Sequence, residues 1–298
     1  MSIYVEKVES GILQEQENGG FLTDVIDTFK KNRMAMVGLG IVMILIFIAL
    51  FAPLLTRHDP YAMDLNQQLL APSFRHWFGT DKFGRDLLAR IIYGTRISLI
   101  IGLIPSFFSI LIGAIMGITS GYYGGKTDFL IMRLADVMLA FPSLILAMVV
   151  MYTLGPNLFN IFIAISLVGW AGPARVVRSQ TLSLKEKEFV VAARAIGVKR
   201  QGIMLRHIMP NCLPALVVLF SLSIPEAIMY EACLSFLGVG AQPPMPSWGL
   251  LVSRGKEFLF SAPWVAIVPG VAILITVMAF NFMGDGLRDA LDPYMKDS

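Results

Sequence analysis

The chain has 298 residues, 56% of them hydrophobic, with 24 Lys and Arg against 21 Asp and Glu for a net charge of +3. With a mean hydropathy of +0.69, this composition leaves too little polar surface to cover a soluble globule of this length, so the principal solvent is lipid. The small net charge argues against a nucleic-acid partner.

Residues 1–33 are polar, mixed in charge and without the apolar core of a cleavable signal, and read as a cytoplasmic N-terminal segment. Apolar runs near the ~20 residues needed to cross a ~30 Å hydrocarbon core follow. They fall at 34–55, 97–119, 134–155, 158–177, 213–236 and 263–284. The expectation is an all-α, polytopic membrane protein with six transmembrane helices within 34–284, the third and fourth least cleanly separated. Pro105, Pro142, Pro173, Pro225 and Pro269 lie inside these runs and predict kinks, not ends. With the N-terminus inside, sixteen of the 24 Lys and Arg residues fall on the cytoplasmic side, and six of the other eight lie in the long segment 56–96. Cytoplasmic loops carry the basic excess, so both termini read as cytoplasmic, with 285–298 as a tail.

The external loop 56–96 contains WFGTDKFGRDLLARIIYGTRIS at 77–98. Gly79 and Gly84 punctuate a polar turn, and Asp86, Arg90 and Arg96 ride on a helix entering the second span. This is either a rigid platform or a docking surface for a solute-delivering partner, with Asp81, Arg85 and Asp86 as candidate contacts. Gly125-Lys126-Thr127 has the look of a phosphate-loop tail, but position 120 is Ser and a transmembrane run precedes it, so a Gly-rich turn is expected. His58, His76 and His207 fall on two predicted sides of the membrane, which argues against a metal cluster. Cys212 and Cys233 lie ~30 Å apart along one predicted helix, too far for a disulfide. With no catalytic constellation in sight, the chain is not expected to be an enzyme.

Asp136, Glu226 and Glu231 fall inside apolar runs, where a carboxylate costs a few kcal/mol or more unless it faces a cavity or a partner. Asp136 has Arg133 one turn earlier, which suits an interfacial ion pair. Glu226 and Glu231 are ~140° apart around their helix, so one is expected on a solute pathway and the other in helix packing. Between the fourth and fifth runs, the loop 178–210 is charged. Leu184 to Ile196 forms a short helix by pattern, Gly197 interrupts it, and 199–208 forms a second before Pro210 and Pro214 open the fifth span. Ala192, Ala193 and Gly197 permit close approach within a rim that includes Arg200 and Arg206. Either a knob for a protein groove or a helix on the membrane surface fits those residues.

Ala192-Ala193-x-x-x-Gly197, followed thirteen residues later by Pro210 in RHIMPN, resembles the coupling loop of ABC importer permeases. Val191 stands where that family usually has Glu, with Glu188 one turn upstream. FGTDKFGRDLLARIIYGTRISL (78–99), RLADVMLAFPSLILA (133–147), PEAIMYEACLSFLGVG (225–240) and PSWGLL (246–251) resemble the C-type permease of dipeptide, oligopeptide and nickel importers, over about residues 35–293. The resemblance implies a type I importer permease fold in a bacterial or archaeal inner membrane and a peptide substrate, with nickel or glutathione as alternatives. It also implies a second permease, two ATPase subunits that bind ATP and Mg, and an extracytoplasmic solute-binding protein. No cofactor is expected in this chain. A secondary transporter using the acidic residues as a proton relay is the other class weighed, without the inverted repeats it would favour.

Overall fold

The computed structural model describes residues 21–291, and the described residues are helices joined by turns and irregular segments, the longest of them 56–86. A short helix α1 (Phe21–Lys31) leads into α2 (Arg33–Leu55), whose first turn is capped by Asn32 Oδ1 accepting from the Met34 and Ala35 amides. Asn32 Nδ2 also donates to Asp289 Oδ2 at 3.3 Å, so the start of α2 lies beside the end of the final helix α12 (Trp264–Leu291). Between α2 and α12 the packing is close, with Gly38 against the Ala279 and Met283 backbone.

The central element is α3 (Leu87–Tyr123), 37 residues long. At 1.5 Å per residue it spans about 55 Å, well beyond a ~30 Å hydrocarbon core. It starts ten residues before the predicted span because Asp86, whose Oδ1 accepts from the Ala89 amide at 2.7 Å, makes an N-cap. Along its inner side Gly113, Gly117 and Gly121 abut Pro173, Ala174, Val177 and Thr181 of α7 (Ala171–Leu184), with no room for a side chain between the two backbones.

The third and fourth predicted spans are both broken. α4 (Gly125–Ala140) and α5 (Ser143–Leu154) meet at 94°, and α6 (Leu158–Gly169) meets α7 at 40°. The expectation that Pro142 only kinks a helix is corrected here. Phe141 is extended (φ −101, ψ 146), the conformation a following proline imposes, and the helix ends. Pro173 sits in the first turn of α7, where its missing N–H costs nothing. Four helices are long and apolar enough to cross a membrane unaided, six if each bent pair is one span.

The fifth span also differs from expectation. Past α8 (Glu188–Ala195) and Gly197, the chain runs from Arg200 to Phe236 without a break, as α9 (Arg200–Ile203), a π-turn (Met204–Ile208) and α10 (Met209–Phe236). The π-turn shifts the bonding register, Met209 N–H reaching Met204 O, just ahead of Pro210 and Pro214, which lack the N–H a regular ladder requires. The prolines therefore do not mark the start of the span. α11 (Trp248–Gly255) follows α10 and packs on it and α12, with Trp248 Nε1 donating to Ile91 O at 3.1 Å.

Candidate functional site

The 178–210 segment folds as a knob. α8 ends in a turn in which the Gly197 and Val198 amides donate to Arg194 O and Ala193 O, with Gly197 at φ +82, the left-handed conformation that glycine adopts cheaply. Val190 and Ala193 share the inward face and join Ile203, Ile208 and Cys212 in a core with Ile118 and Val177 of the long helices. Ala193, expected to front a partner, is instead one of the residues that seat the knob on its own bundle. Outside lie Glu188, Ala192, Gly197, Arg200, Arg206 and Pro210, all exposed, together with Phe189, Val191 and Leu205. Ile196, at the tip, is 82% exposed. An aliphatic side chain held out among charges is the feature that residue counting passed over.

Two ion-pair rungs bind α7 to α4. Arg178 grips Asp128 bidentately at 2.5 and 2.6 Å, with Ser120 Oγ also donating to Asp128 Oδ1. Further along, Arg175 Nη2 donates to Asp136 Oδ1 at 2.6 Å, while Arg133 lies at 3.9 Å. Asp136 is thus held mainly across helices by a residue 39 positions away, and the sequence-neighbouring Arg133 is secondary.

The two other buried-run carboxylates part company. Glu231 is 1% exposed, and its Oε1 accepts from Ser235 Oγ at 2.7 Å and Ser247 Oγ at 2.9 Å. Ser247 in turn caps α11, so Glu231 knots α10, the 237–247 loop and α11 together. Glu226 is exposed and lines a cavity of about 160 Å³ shared by α3, α4, α5, α6, α7 and α10. Tyr230 Oη donates to Glu226 Oε1 at 3.4 Å. Ser106, Ser109, Ser143 and Ser223 also face this cavity, and none of them is among the residues singled out from the sequence.

The external loop is a self-bonded knot. Arg85 pairs with Asp81 at 2.6 Å, Arg90 Nε lies 3.6 Å from Asp81, and Arg90 Nη1 donates to Pro60 O at 2.9 Å. Asp81, Arg85 and Asp86 are 4–6% exposed. These candidate docking residues hold the loop together and do not face outward. Gly84 (φ +72) lies so tight on Asp64 that any side chain would strike its carbonyl. The histidines were expected on two sides of the membrane with no metal cluster among them, and two of them do meet. The knot brings His58, His76 and Asp86 together, their ligand atoms within 4.8 Å, while His207 lies apart on the knob. His76 is already committed at both nitrogens, Nδ1 to Asp86 Oδ2 at 2.8 Å and Nε2 to Gln67 Oε1 at 2.9 Å, and His58 Nε2 contacts Arg75 O at 3.2 Å. The cluster reads as loop structure.

A membrane-embedded helical bundle with broken spans around a cavity that holds one carboxylate and several hydroxyls, and a knob continuous with one span, is the architecture of a transport permease. Residues 109–297 match the family of binding-protein-dependent transport system inner membrane components, and residues 20–72 match the N-terminal transmembrane domain of oligopeptide transport permease C. The chain belongs to this family. It is 48% identical to the dipeptide transport system permease protein DppC of Alkalihalophilus pseudofirmus over 90% of this chain and 88% of that one. It is 45% identical to the oligopeptide transport system permease protein OppC of Haemophilus influenzae over 97% and 94%. An inward-facing structure of the MetNI methionine ABC transporter superposes with a TM-score of 0.56 at 20% identity, covering 69% of this chain and 98% of that chain, which supports the fold. The chain is therefore an ABC importer permease subunit of the inner membrane, pore-forming and not catalytic, that works with an ATPase.

Proposed function

We propose that this subunit imports dipeptides or oligopeptides, forming half of a pore with a second, homologous permease. Two ATPase subunits sit beneath and an extracytoplasmic solute-binding protein delivers the peptide. The names carried by the relatives support the substrate class. The observation that carries the coupling role is the knob: Ile196 and Gly197 are presented outward while Val190 and Ala193 anchor it to the bundle. Closure of the ATPase pair would draw this knob inward. Because α9, the π-turn and α10 are one continuous helix, the displacement passes directly into the span that carries Glu226. The Arg178–Asp128 and Arg175–Asp136 rungs carry α4 along with α7, so the bundle rocks as packed bodies between inward- and outward-open states.

Both termini are assigned to the cytoplasm. The Asn32–Asp289 contact supports one side for both ends, and the basic residues of 178–210 choose the side. For the solute-binding protein, the external knot would serve as a rigid platform whose exposed rim, including Phe74 and Trp77, makes the contact. Affinity purification of the tagged chain from mildly solubilised membranes tests the assembly. Recovery of an ATPase and a second permease is expected, and recovery of the chain alone, under conditions that preserve other complexes, would overturn it.

A further inference from the structure

Glu226 is the single formally charged residue among the described residues lining the cavity at the two helix breaks. Its other polar groups are hydroxyls, from Ser106, Ser109, Ser143, Ser223 and Tyr230, and no Lys or Arg from the lining balances the carboxylate. A carboxylate at membrane depth without a cationic partner is costly unless a cavity water or a passing cation completes it. Tyr230 supplies only one long hydrogen bond at 3.4 Å. Asp136, by contrast, is matched by Arg175, and Glu231 is enclosed by two serine hydroxyls.

Ser106 is an independent pointer to the same place. It is 2% exposed, lies beside Pro105 on α3, and its Oγ has no hydrogen-bond partner although it lines the cavity. Buried hydroxyls are nearly always satisfied, so an orphan turned into a cavity marks a contact that something else completes. Both helix breaks also end there. Leu139 and Ser143 flank the 94° break and Gly169 and Gly172 the 40° break, and all four line the cavity. Interrupted membrane helices gather where backbone and solute meet.

We infer that this cavity binds a primary ammonium group, with the Glu226 carboxylate as its counter-ion and the Ser106 hydroxyl as a further acceptor. Resting on the reading of this chain as a peptide permease, the ligand group is the free α-amino terminus of the peptide in transit. Glu226 is then a specificity-determining residue within the membrane, acting after release from the binding protein.

The test uses the permease–ATPase complex in nanodiscs without the binding protein, so that selection by that protein does not enter. A Ser223→Cys reporter in a background with Cys212 and Cys233 replaced by Ala is alkylated by a maleimide in the presence of trialanine or N-acetyl-trialanine. Trialanine is expected to slow alkylation at concentrations roughly tenfold below those needed with the acetylated peptide, as for loss of one charge-assisted contact. Glu226→Gln is expected to erase that difference, Glu226→Asp to keep part of it, and Ser106→Ala to weaken trialanine severalfold. Equal protection by both peptides, or an undiminished difference in Glu226→Gln, overturns the inference. ATP-driven peptide uptake by the complete transporter is measured in parallel. Uptake without amine-selective protection removes the cavity assignment and leaves the permease reading standing, whereas amine-selective protection without uptake keeps the ammonium site and removes the peptide-import reading.

Discussion

Replacing Ile196 by Asp separates coupling from folding. Ile196 is 82% exposed and sits at the turn tip, so within the free chain the substitution removes almost no contact, and stability is expected to change by about 0.5 kcal/mol or less. If the knob docks as proposed, the same side chain becomes buried, a gain of ~1.5–3 kcal/mol for an Ile. An unpaired carboxylate in that place forfeits the gain and adds a desolvation cost of a few kcal/mol. The combined loss, roughly 3–5 kcal/mol, weakens the ATPase contact by two to three orders of magnitude or more. Val190→Asp is the matched control: Val190 is fully buried under the same helix, so a charge there destabilises the bundle itself. The assay is co-purification of the ATPase with the tagged permease, alongside thermal stability in detergent. Ile196→Asp should behave as wild type in melting and lose the ATPase, while Val190→Asp should fail in both. Full ATPase recovery and normal uptake by Ile196→Asp would refute the knob assignment. Gly197→Trp is a poorer probe, because φ +82 penalises any side chain in the free protein.

Other expectations follow from the packing. Glu231→Leu leaves the Ser235 and Ser247 hydroxyls without their acceptor, costing about 1–3 kcal/mol and lowering the melting temperature by several degrees, whereas Glu231→Gln retains an acceptor and costs less; differential scanning of purified protein decides. Gly117→Leu sets a Cβ 2.6 Å from Ala174 O and 2.8 Å from Val177 Cβ, so α3 and α7 must part at a cost of about 1–3 kcal/mol or more, read as lost yield of folded protein. Asp128→Arg and Arg178→Asp should each slow uptake, with partial recovery in the double swap; because both groups are partly solvated, the coupling in a double-mutant cycle should be only about 1 kcal/mol.

The apolar runs disclosed most of the spans because lipid demands about twenty apolar residues whatever the packing; 34–55 came close to the observed Arg33–Leu55, while 213–236 matched only the C-terminal end of a span that starts at Arg200. Breaks were harder to read. Pro142 ends a helix and Pro225 does not, a difference invisible in a proline count. Periodicity could separate Glu226 from Glu231 but not say which faced the cavity, since that depends on α3, α6 and α7. Long-range partners were likewise beyond reach: Arg175 for Asp136, Asp86 for His76, and Asp289 for Asn32 lie from 10 to 257 residues away. One signal was available in the sequence, the Ser106 and Ser109 pair at i, i+3 in the otherwise apolar stretch 99–118, which puts two hydroxyls on one face.

The most direct test of peptide import is transport by the complete assembly in proteoliposomes. This permease, its partner permease, the ATPase subunits and the binding protein would be reconstituted with a radiolabelled di- or oligopeptide bound outside and ATP supplied on the ATPase side. ATP-dependent accumulation of intact peptide, abolished by Ile196→Asp, is the predicted result. Accumulation that is insensitive to ATP and driven by a proton gradient, or movement of some other solute with no peptide uptake, would contradict it.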